Sequence, residues 1–572
     1  MNWADKLLES LKKHWINTVF GYPGWANMPL YDKLELCSEI QHILVRNEQG
    51  ASFAAQGWAR TKKEIWVCFG TSGPWASNLI TWVMDAMMDS IPMLVVTWQV
   101  PLWVMWTDAF QELDTIWTFM SITKHSFVVD NVNKIETIVD EAIKIATSWR
   151  PWPVLIDFPK DISLAEYTEK EDFEQEIFYS NIASLEVSEK QIEKTLEMLK
   201  KSKKPVLLIW QGVKFANWEK LLNEFVEKLW IPTVSTLLAK WVLAENNPNY
   251  LWMIGMHWTY AGNLATYNAD LIINIGSRFD DRLVGTYESF VENNKKIIHI
   301  DIDISELDKV IKTDLAIHSD GKIFLEKILK TIPLSQPFPQ REKGVLEIDD
   351  WKKQIEEFNK KIICEAKTSH FSTKNALHII NSKTEKNLKK YIFVTDVWQH
   401  QMWSAQILKV ASTTSWLTSG WAGTMWFSIP VSAWAAIANR EKTIINIVGD
   451  WSVQMNIQEL QVLKDHNLNV KVIIMNNNFL WMVRQWQDLF FDKNYASTPI
   501  TSPNYEKLAE AYWINWYTVK SEEELKKVLE KEFELDWPAV IEIKVEADED
   551  NIFPMVPAWY SLAETVVCRE EL

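Results

Sequence analysis

Short and strongly apolar runs recur along the whole chain, and they restrict its possible folds more than any other feature. Each run has the length of one strand, and segments with helical patterns separate the runs. Strands buried on both faces of a parallel sheet have this composition, whereas open antiparallel sheets alternate apolar and polar residues. The predicted strands are 65–70, 92–97, 154–159, 204–210, 269–276, 295–303, 391–396, 442–450, 470–477 and 538–546.

These runs fall into three groups, which predicts an α/β fold of three doubly wound parallel-sheet domains. An acidic segment (165–176), a polar segment containing prolines (333–344) and a Lys- and Glu-rich helical segment (350–367) separate the groups. The predicted domains are 1–165, 190–335 and 370–550, followed by a tail at 551–572.

Charge and cysteine content exclude several functional classes. The 572 residues carry 59 Lys and Arg against 76 Asp and Glu, for a net charge of -17. We therefore expect no nucleic-acid partner and no membrane attachment, since both need clustered positive charge. Without a CxxC pair, Cys37, Cys68, Cys364 and Cys568 favour neither a disulfide scaffold nor a zinc ribbon. We expect a cytoplasmic protein without a secretory signal or membrane span.

The counts of tryptophan and glycine are abnormal. The chain has 33 Trp and only 16 Gly, whereas average usage of about 7% predicts roughly 40 glycines. Trp152 stands between two prolines and Trp451 directly follows a strand, and both contexts favour glycine. We hypothesise that most of these tryptophans are misread glycines, because UGA encodes Trp in one variant genetic code and Gly in another. The alternative is a protein that is truly rich in tryptophan.

Polar residues end two successive predicted strands of the third domain. Asp450 ends one strand, and Asn476, Asn477 and Asn478 end the next. The carboxylate and amide oxygens of adjacent strand ends suit Mg²⁺, which prefers oxygen ligands and retains phosphate partners. With glycine at position 451 the pattern is the GDG…NN signature of thiamine diphosphate binding. The alternative is two ordinary turns, in which Asp and Asn are common.

Glu48 supplies a second feature of the same chemistry. It lies between an apolar strand and a helix of small residues. Thiamine enzymes need a carboxylate against the aminopyrimidine ring, where it favours the tautomer that removes the thiazolium proton. A partly desolvated Glu suits this task. Taken alone, Glu48 is better explained as an ordinary residue at a helix start.

Many motifs in one order resemble the catalytic subunit of acetolactate synthase (acetohydroxyacid synthase). The resemblance extends from about residue 4 to residue 565 and is weakest at 165–200 and 335–390. The matching segments include FGYPGWANMPLYD (20–32), NEQGA (47–51), TSGPWASNLITW (71–82), SITKH (121–125), WRPWPVLIDFPKD (149–161), WMIGMHWT (252–259), GSRFDDR (276–282), TDVWQHQMW (395–403), TSGWAGTMWFSIP (418–430), GDWSVQMNIQEL (449–460), NNNFLWMVRQWQDLF (476–490) and FPMVPA (553–558).

The resemblance also bears on the tryptophan hypothesis. The family has glycine at Trp25, Trp75, Trp98, Trp106, Trp149, Trp152, Trp241, Trp252, Trp258, Trp398, Trp421, Trp426, Trp451 and Trp481. Tryptophan suits its context at Trp403, Trp416 and Trp486, and both interpretations stay open at Trp58 and Trp103. If Trp398, Trp421 and Trp451 are genuine, their indoles should fill the coenzyme cleft and prevent binding.

The family resemblance implies roles for individual residues. Glu48 would be the catalytic carboxylate. The thiamine diphosphate site would comprise Gln399, His400, Met425, Asp450, Trp451 (a glycine in the family), Ser452 and Asn477. Mg²⁺ would be bound by the side chains of Asp450 and Asn477 and by the carbonyl of Phe479. FAD would contact Arg150, Gly255, Met256, His257, Gly276, Ser277, Arg278, Asp301 and Asp303. The substrate channel would contain Gln99, Phe110, Gln111, Lys160, Arg282, Met482 and Trp486.

Two of these substrate assignments follow from side-chain chemistry within the family's scheme. Arg282 would hold the acceptor carboxylate, because a guanidinium pairs with it in a bidentate manner. Trp486 would shape the acceptor pocket and favour 2-oxobutyrate. For Phe110, Met482 and Trp486, plain core packing remains an alternative. The segment VPLWVMWTD (100–108) lacks the basic residues that often follow this proline, which leaves the channel contacts there open.

The activity implied by the resemblance is carboligation. Pyruvate would be decarboxylated on thiamine diphosphate, and the hydroxyethyl unit would be added to pyruvate or 2-oxobutyrate. This reaction begins the biosynthesis of valine, leucine and isoleucine. FAD would be structural. The family also implies a homodimer, because Glu48 and the Mg²⁺ ligands meet across a subunit interface, and many relatives bind a small regulatory subunit.

Other functions were weighed against this one. Pyruvate decarboxylases usually have adjacent histidines, which are absent here, and a pyruvate oxidase would reduce its flavin during turnover. A catabolic acetolactate synthase lacks FAD, whereas GSRFDDR and WMIGMHWT favour flavin. A nicotinamide dehydrogenase is disfavoured because no GxGxxG follows a strand. A non-catalytic relative becomes plausible only if the tryptophans are genuine.

Overall fold

The computed structural model describes residues 2–168, 185–292, 294–332, 346, 348–361, 371–546, 552–557, 559–568 and 571. Within them the chain forms three six-stranded sheets, and the paired strands of each sheet run parallel. This confirms the predicted fold class. Most of segment 165–176, all of 333–344 and Cys364 lie outside the described residues, so the domain limits remain predictions.

The first sheet has the strand order β2-β1-β3-β4-β6-β5. Its strands are β1 (Thr18–Gly21), β2 (Gln41–Leu44), β3 (Trp66–Gly70), β4 (Met93–Gln99), β5 (His125–Val128) and β6 (Pro153–Pro159). The helices around it are α1 (Trp3–Lys13), α2 (Met28–Leu36), α3 (Glu48–Lys62), α4 (Pro74–Ser77), α5 (Ile80–Met88), α6 (Thr115–Phe119) and α7 (Ile135–Thr147).

The second sheet has the order β12-β11-β10-β7-β8-β9. Its strands are β7 (Pro205–Ile209), β8 (Thr233–Ser235), β9 (Tyr250–Met253), β10 (Leu271–Ile275), β11 (Lys296–Asp301) and β12 (Leu315–His318). The helices are α8 (Glu189–Lys201), α9 (Gly212–Ala216), α10 (Glu219–Leu229), α11 (Tyr260–Asn268), α12 (Asp281–Val284), α13 (Tyr287–Phe290) and α14 (Gly321–Thr331), and α15 (Asp349–Asn359) follows.

The third sheet has the order β14-β13-β15-β16-β18-β17. Its strands are β13 (Tyr391–Thr395), β14 (Trp416–Leu417), β15 (Thr443–Gly449), β16 (Val470–Asn476), β17 (Asn515–Val519) and β18 (Ala539–Lys544). The helices are α16 (Thr373–Thr384), α17 (Gln399–Ile407), α18 (Ser428–Ala438), α19 (Ser452–Met455), α20 (Leu460–Asp465), α21 (Trp481–Phe490), α22 (Tyr505–Ala511) and α23 (Glu522–Glu532).

Helices α3 and α18 join the first and third domains. A Cβ atom on Gly57 of α3 would lie 2.6 Å from the carbonyl oxygen of Val431 on α18, so the two helices approach closely only because residue 57 is glycine. Aromatic side chains extend the contact, since the ring of Phe53 meets that of Phe427, and Phe20 packs on Trp434. One apolar core therefore spans both domains.

Two helix ends show why glycine is expected at some tryptophan positions. Beyond α1, the Trp15 amide donates to Lys12 and the Ile16 amide to Leu11, which is the Schellman arrangement. This motif needs a left-handed residue, usually glycine, and Trp15 occupies it with a φ of 63°. The Trp15 side chain is 92% exposed, so packing does not explain the indole.

The same motif ends α22, where the Trp513 amide donates to Glu510 and the Ile514 amide to Ala509. Left-handed φ values occur at Trp15, Trp106, Trp149, Trp230, Trp241, Trp252, Trp398, Trp426, Trp513 and Trp559. The tryptophans that we interpreted as genuine, Trp403, Trp416 and Trp486, are not among them.

Three of the four cysteines lie within the described residues. Cys37 and Cys68 are free thiols, and Cys568 takes part in a disulfide bond. One such bond near the end of the chain is far from the disulfide scaffold that the sequence disfavoured. No helix in the described part of the chain combines the length and apolar character that crossing a bilayer would require.

Candidate functional site

The carboxyl ends of β13, β15 and β16 form a crevice in the third domain. The chain leaves β13 toward β14 on one side and returns to β15 on the other, so the strand order reverses between β13 and β15. Open α/β sheets bind ligands at such reversal points. The crevice is lined by Val397, Trp398, Gln399, His400, Met425, Gly449, Asp450, Trp451, Ser452, Met475, Asn477, Phe479, Leu480 and Trp481. It thus brings together every residue predicted for the thiamine diphosphate and Mg²⁺ sites of this domain.

Asp450 is fixed by backbone donors at the end of β15. Its Oδ1 accepts from the Trp451 amide at 2.9 Å, and its Oδ2 accepts from the Asn478 amide at 2.7 Å. Burial raises the pKa of this carboxyl to about 6, and the backbone amides of Asn478 and Trp451 oppose the rise. Asp450 therefore presents a desolvated carboxylate whose charge a cation in the crevice would balance.

Gln399 and His400 form the first turn of α17, whose amino end faces the same crevice. Helix amino ends favour anions such as phosphate. His400 is buried, and burial lowers its pKa to about 3, so the ring is neutral near pH 7. The buried Nε2 of His400 has no protein hydrogen-bond partner. This unpaired atom is suited to a diphosphate oxygen.

Oxygen atoms in the crevice also suit a hard cation. The side-chain Nδ2 of Asn477 lies 3.4 Å from Oε1 of Gln399. Oδ1 of Asn477 accepts a hydrogen bond from the backbone amide of Phe479. Within the described residues, no group of three or more His, Cys, Asp or Glu side chains could hold a metal. A cation here would therefore depend on one carboxylate, one amide, backbone carbonyls and ligand oxygens, which is the way Mg²⁺ is commonly bound beside phosphates.

Indole rings occupy the space that a coenzyme would need. The cavity among these residues has a volume of about 30 Å³, and Trp398, Trp451 and Trp481 line it. The backbone of Trp398 has φ 92° and ψ -143°, a combination that essentially only glycine adopts. The polar groups thus fit a diphosphate and a cation, whereas the indoles do not, and the backbone at residue 398 favours glycine.

Glu48 begins α3 in the first domain and is buried. Its Oε2 accepts from the Asn78 side chain at 3.0 Å, whereas the buried Oε1 has no partner. Because buried polar atoms are normally hydrogen-bonded, Oε1 of Glu48 is suited to a donor on a bound ligand. Asn78, which sequence reasoning did not single out, belongs to the quoted segment TSGPWASN, so its motif was the available signal.

Glu48 and Asp450 do not line one cavity within a single chain. Among the described residues, the crevice around Asp450 is lined only by the third domain. Glu48 is not part of this lining.

A second cavity, of about 250 Å³, lies at the reversal point of the central sheet, between the ends of β7 and β10. Of the predicted FAD residues, Arg150, Gly276, Arg278 and Asp301 line it. Gly276 has a φ of 78°, so its backbone can approach a ligand where a side chain would be strained. Arg150 pairs with Asp303 at 3.1 Å and with Glu306 at 2.9 Å.

The other predicted FAD residues lie beside this cavity or elsewhere. Ser277 is buried with an unpaired hydroxyl, His257 is buried, and Gly255 has a φ of 116°. Met256 lines a separate cavity with Arg282 and the tail residues Val556 and Pro557. Sequence reasoning missed part of the wall, namely Trp210, Gly212, Phe215, Asp320 and Gly321. The turn WQGVKFAN (210–217) after β7 was the available signal for Trp210, Gly212 and Phe215, although it lacks the GxGxxG pattern.

The predicted substrate residues are spread over all three domains. Gln99 ends β4 and donates to the Leu113 carbonyl, while Phe110 is 86% exposed and Gln111 has a φ of 61°. Lys160 lies over the ring of Trp25, and Arg282 is exposed. Met482 is buried in the core of the third domain, where Trp486 also packs. The single chain does not bring these residues together.

Comparisons with known proteins agree with this geometry. Three family models match the chain: the N-terminal thiamine pyrophosphate-binding domain at 1–117, the central domain of such enzymes at 192–328, and the C-terminal thiamine pyrophosphate-binding domain at 396–543. The fold and the crevice therefore define a thiamine diphosphate-dependent enzyme.

Relatives of known function narrow this class. The acetolactate synthase large subunit of Cyanidium caldarium is 39% identical over 100% of this chain and 97% of its own length. That of Lactococcus lactis is 38% identical over 97% and 94% of the two chains. Isozyme 1 of Escherichia coli is 36% identical over 98% and 97%. The chain belongs to the acetolactate synthase large-subunit family, whose members are transferases of branched-chain amino acid biosynthesis.

Proposed function

We propose that this chain decarboxylates pyruvate and transfers the two-carbon unit to a second 2-keto acid, either pyruvate or 2-oxobutyrate. The observation that carries the proposal is the crevice in which Asp450, Asn477 and the unpaired Nε2 of His400 converge. When bound there, thiamine diphosphate supplies the carbanion and the electron sink that the protein's own side chains lack.

The residues of the chain would bind the coenzyme and Mg²⁺, protonate the pyrimidine ring and orient the acceptor substrate. Gln399 and His400 would donate to the diphosphate, and Asp450, Asn477 and the carbonyl of Phe479 would bind Mg²⁺. The free Oε1 of Glu48 would hold a proton on the pyrimidine ring nitrogen, with Asn78 fixing the other carboxylate oxygen. Arg282 is our candidate for holding the acceptor carboxylate.

We propose FAD as a structural cofactor in the cavity of the central domain. Two guanidinium groups, of Arg150 and Arg278, face the space and suit a diphosphate. Asp301, at the end of β11, is placed for ribose hydroxyls. A structural role is what the family resemblance implies for FAD.

Glycine at the tryptophan positions of the crevice is part of this proposal. The left-handed backbone at Trp398 and the small cavity beside Trp451 both support glycine in the functional protein. We extend the hypothesis to Trp15 and Trp513, where the Schellman arrangement requires a left-handed residue. Neither position was among those assigned from the family.

We propose a homodimer in which Glu48 of one chain faces the Asp450 crevice of the other. The lining of the Asp450 crevice by third-domain residues, without Glu48, supports this arrangement. So does the exposure of large apolar side chains on the first domain, since Met28 is 52%, Phe110 86% and Met120 50% exposed. The relatives are called large subunits, and we propose that a smaller regulatory subunit joins the assembly in the cytoplasm.

Mixing two inactive variants tests the shared site. Glu48→Gln and Asp450→Ala should each abolish acetolactate formation, but a mixed dimer retains one intact site. Random reassociation of equal amounts should then restore about a quarter of the wild-type activity, because half of the dimers are mixed. No recovery from dimers shown to be mixed would contradict a site shared between subunits.

Product analysis tests the reaction itself. Pyruvate alone should give 2-acetolactate, and pyruvate with 2-oxobutyrate should also give 2-aceto-2-hydroxybutyrate. A pyruvate oxidase would instead bleach the flavin at the rate of turnover. Bleaching at that rate, without either product, would contradict the proposal.

A further inference from the structure

Two carboxylates on one helix of the first domain hold a loop of the third domain. Asp85 lies on α5 and Asp89 caps its carboxyl end, and both are fully buried. Their contacts lie on residues 418–426, which we call the 418–426 loop. This loop connects β14 to the helix α18 that packs on α3.

Asp89 binds the backbone of this loop. Its Oδ2 accepts from the Gly420 amide and its Oδ1 from the Trp421 amide, each at 3.0 Å. Both donors are backbone groups, so the contact is the same whether residue 421 is tryptophan or glycine. Two successive amides pointing at one carboxylate form a compact anion-binding turn.

Asp85 contacts the 418–426 loop near its beginning, at Ser419, and near its end, at Thr424. Its Oδ1 accepts from the hydroxyls of Ser419 and Thr424, the latter at 2.7 Å. The Ser419 hydroxyl in turn accepts from the Thr424 amide at 2.9 Å. The carboxylate therefore closes the loop at the residue immediately before Met425.

Arg60 on α3 balances part of this charge. Its guanidinium donates to Asp89 at 2.7 Å and lies 3.7 Å from Asp85. One cation among two buried carboxyls does not neutralise both, so the donors of the loop supply the remaining stabilisation. Movement of the loop would leave a buried carboxylate without partners, which is costly.

The opposite side of the loop lines the coenzyme crevice. Met425 is part of the crevice wall, and the Trp426 amide donates to the Ser452 hydroxyl at 3.1 Å. We propose that Asp89, together with Asp85 and Arg60, is a positioning residue that holds Met425 in place for thiamine diphosphate. This inference rests on the proposed function, because it assigns Met425 a place beside the coenzyme.

The helix that carries Arg60 also begins with Glu48. The two residues are twelve positions apart, or about 18 Å along α3. In the proposed dimer, one rigid helix thus ends at the chain's own coenzyme loop and begins at the partner's coenzyme.

Hydrogen exchange of the protein without coenzyme tests the anchoring directly. In Asp89→Asn the amides of Gly420 and Trp421 should exchange about tenfold faster, because the carboxylate that accepts from both is lost. Ser419→Ala is a milder second variant, in case Asp89→Asn folds poorly. The matched control is Asp270→Asn, since Asp270 also binds two successive amides, of Lys203 and Lys204, in the central domain.

Titration with thiamine diphosphate and Mg²⁺, followed by calorimetry, tests the positioning role. The dissociation constant should rise about tenfold in Asp89→Asn and about threefold in Ser419→Ala, and change less than about twofold in Asp270→Asn. Unchanged exchange and affinity in both loop variants, or equal losses in the control, would overturn the inference. These titrations use the chain with glycine at positions 398, 421 and 451 as the parent protein. If that parent has protected loop amides but binds no coenzyme, the proposed function is contradicted instead.

Discussion

The amide of Asn478 donates to Oδ2 of Asp450 over 2.7 Å, joining the turns that follow two neighbouring strands. This bond aims the carboxylate of Asp450 and the side chain of Asn477 into one crevice. The arrangement depends on the parallel pairing of β15 with β16, which puts both carboxyl ends at the same sheet edge. The parallel pairing of these two strands thus places Asp450 and Asn477 at the same site.

The intact mass of the protein from its natural host tests the identity of the tryptophans. If glycine occupies the positions with left-handed backbone and the crevice positions, the mass should fall below that of the printed sequence by more than a kilodalton. Peptide mapping across Trp15, Trp398 and Trp451 locates the differences. A mass that matches the printed sequence would refute the substitution.

Glu48→Gln should separate coenzyme binding from coenzyme activation. Binding of thiamine diphosphate should remain close to wild type, while deuterium exchange at the thiazolium carbon, followed by NMR, should slow by about 10²–10⁴-fold, the usual contribution of a general acid or base. Glu532→Gln is a suitable control, since Glu532 is equally buried in the third domain but pairs with Lys471. Normal exchange in Glu48→Gln would exclude Glu48 from this role.

Stability should depend on pH through Asp157, a buried carboxyl that accepts from Thr97 and Thr115. Burial raises its pKa from 3.8 to about 6, so between these values the folded state binds more protons than the unfolded state. Its contribution to stability therefore falls as the pH rises through this window.

Asp157→Asn removes this titration. Relative to wild type, the variant should gain about 2 kcal/mol in free energy of unfolding between pH 4.5 and pH 7, as read from denaturant titrations. Comparing the variant with wild type at each pH cancels the other titrating groups. A difference that stays constant across this range would show that Asp157 titrates normally.

Arg150→Gln should reduce the flavin content of the purified protein about tenfold. The substitution removes a guanidinium from the cavity wall and takes one cationic partner from Asp303 and from Glu306, so less of their negative charge is balanced beside the diphosphate of FAD. Flavin absorbance and chromatography of released FAD measure the effect. Arg440→Gln, an exposed change beside His466, should retain full flavin content; equal loss in both variants would contradict the assignment.

Most central strands could be predicted from sequence, because burial on both faces demands an unbroken apolar run, although the short interior strands β1 and β8 were missed. Strands such as β3, β4 and β16 are fully buried along their length and were all found. The strands that sequence reasoning missed include β5 and β17, which lie at sheet edges and are only partly buried. Edge positions relax the apolar requirement, so their residues carry a weaker pattern.

The candidate site likewise has residues that could be predicted from sequence and contacts that could not. Asp450 and Asn477 were predictable, because polar residues at adjacent strand ends must meet at one edge. The contact of Asn78 with Glu48 and that of Asp89 with Gly420 were not, since the latter pair is separated by 331 residues. The first contact depends on how α3 packs against the segment between α4 and α5 within the first domain, and the second on how the end of α5 packs against the third domain.

Acetolactate formation by two forms of the chain tests the account most directly. The form with glycine at positions 398, 421 and 451 should convert pyruvate to 2-acetolactate only when thiamine diphosphate and Mg²⁺ are both present. The form with tryptophan at these positions should bind no coenzyme and make no product. Absence of acetolactate from the folded glycine form, or equal product from both forms, would contradict the account.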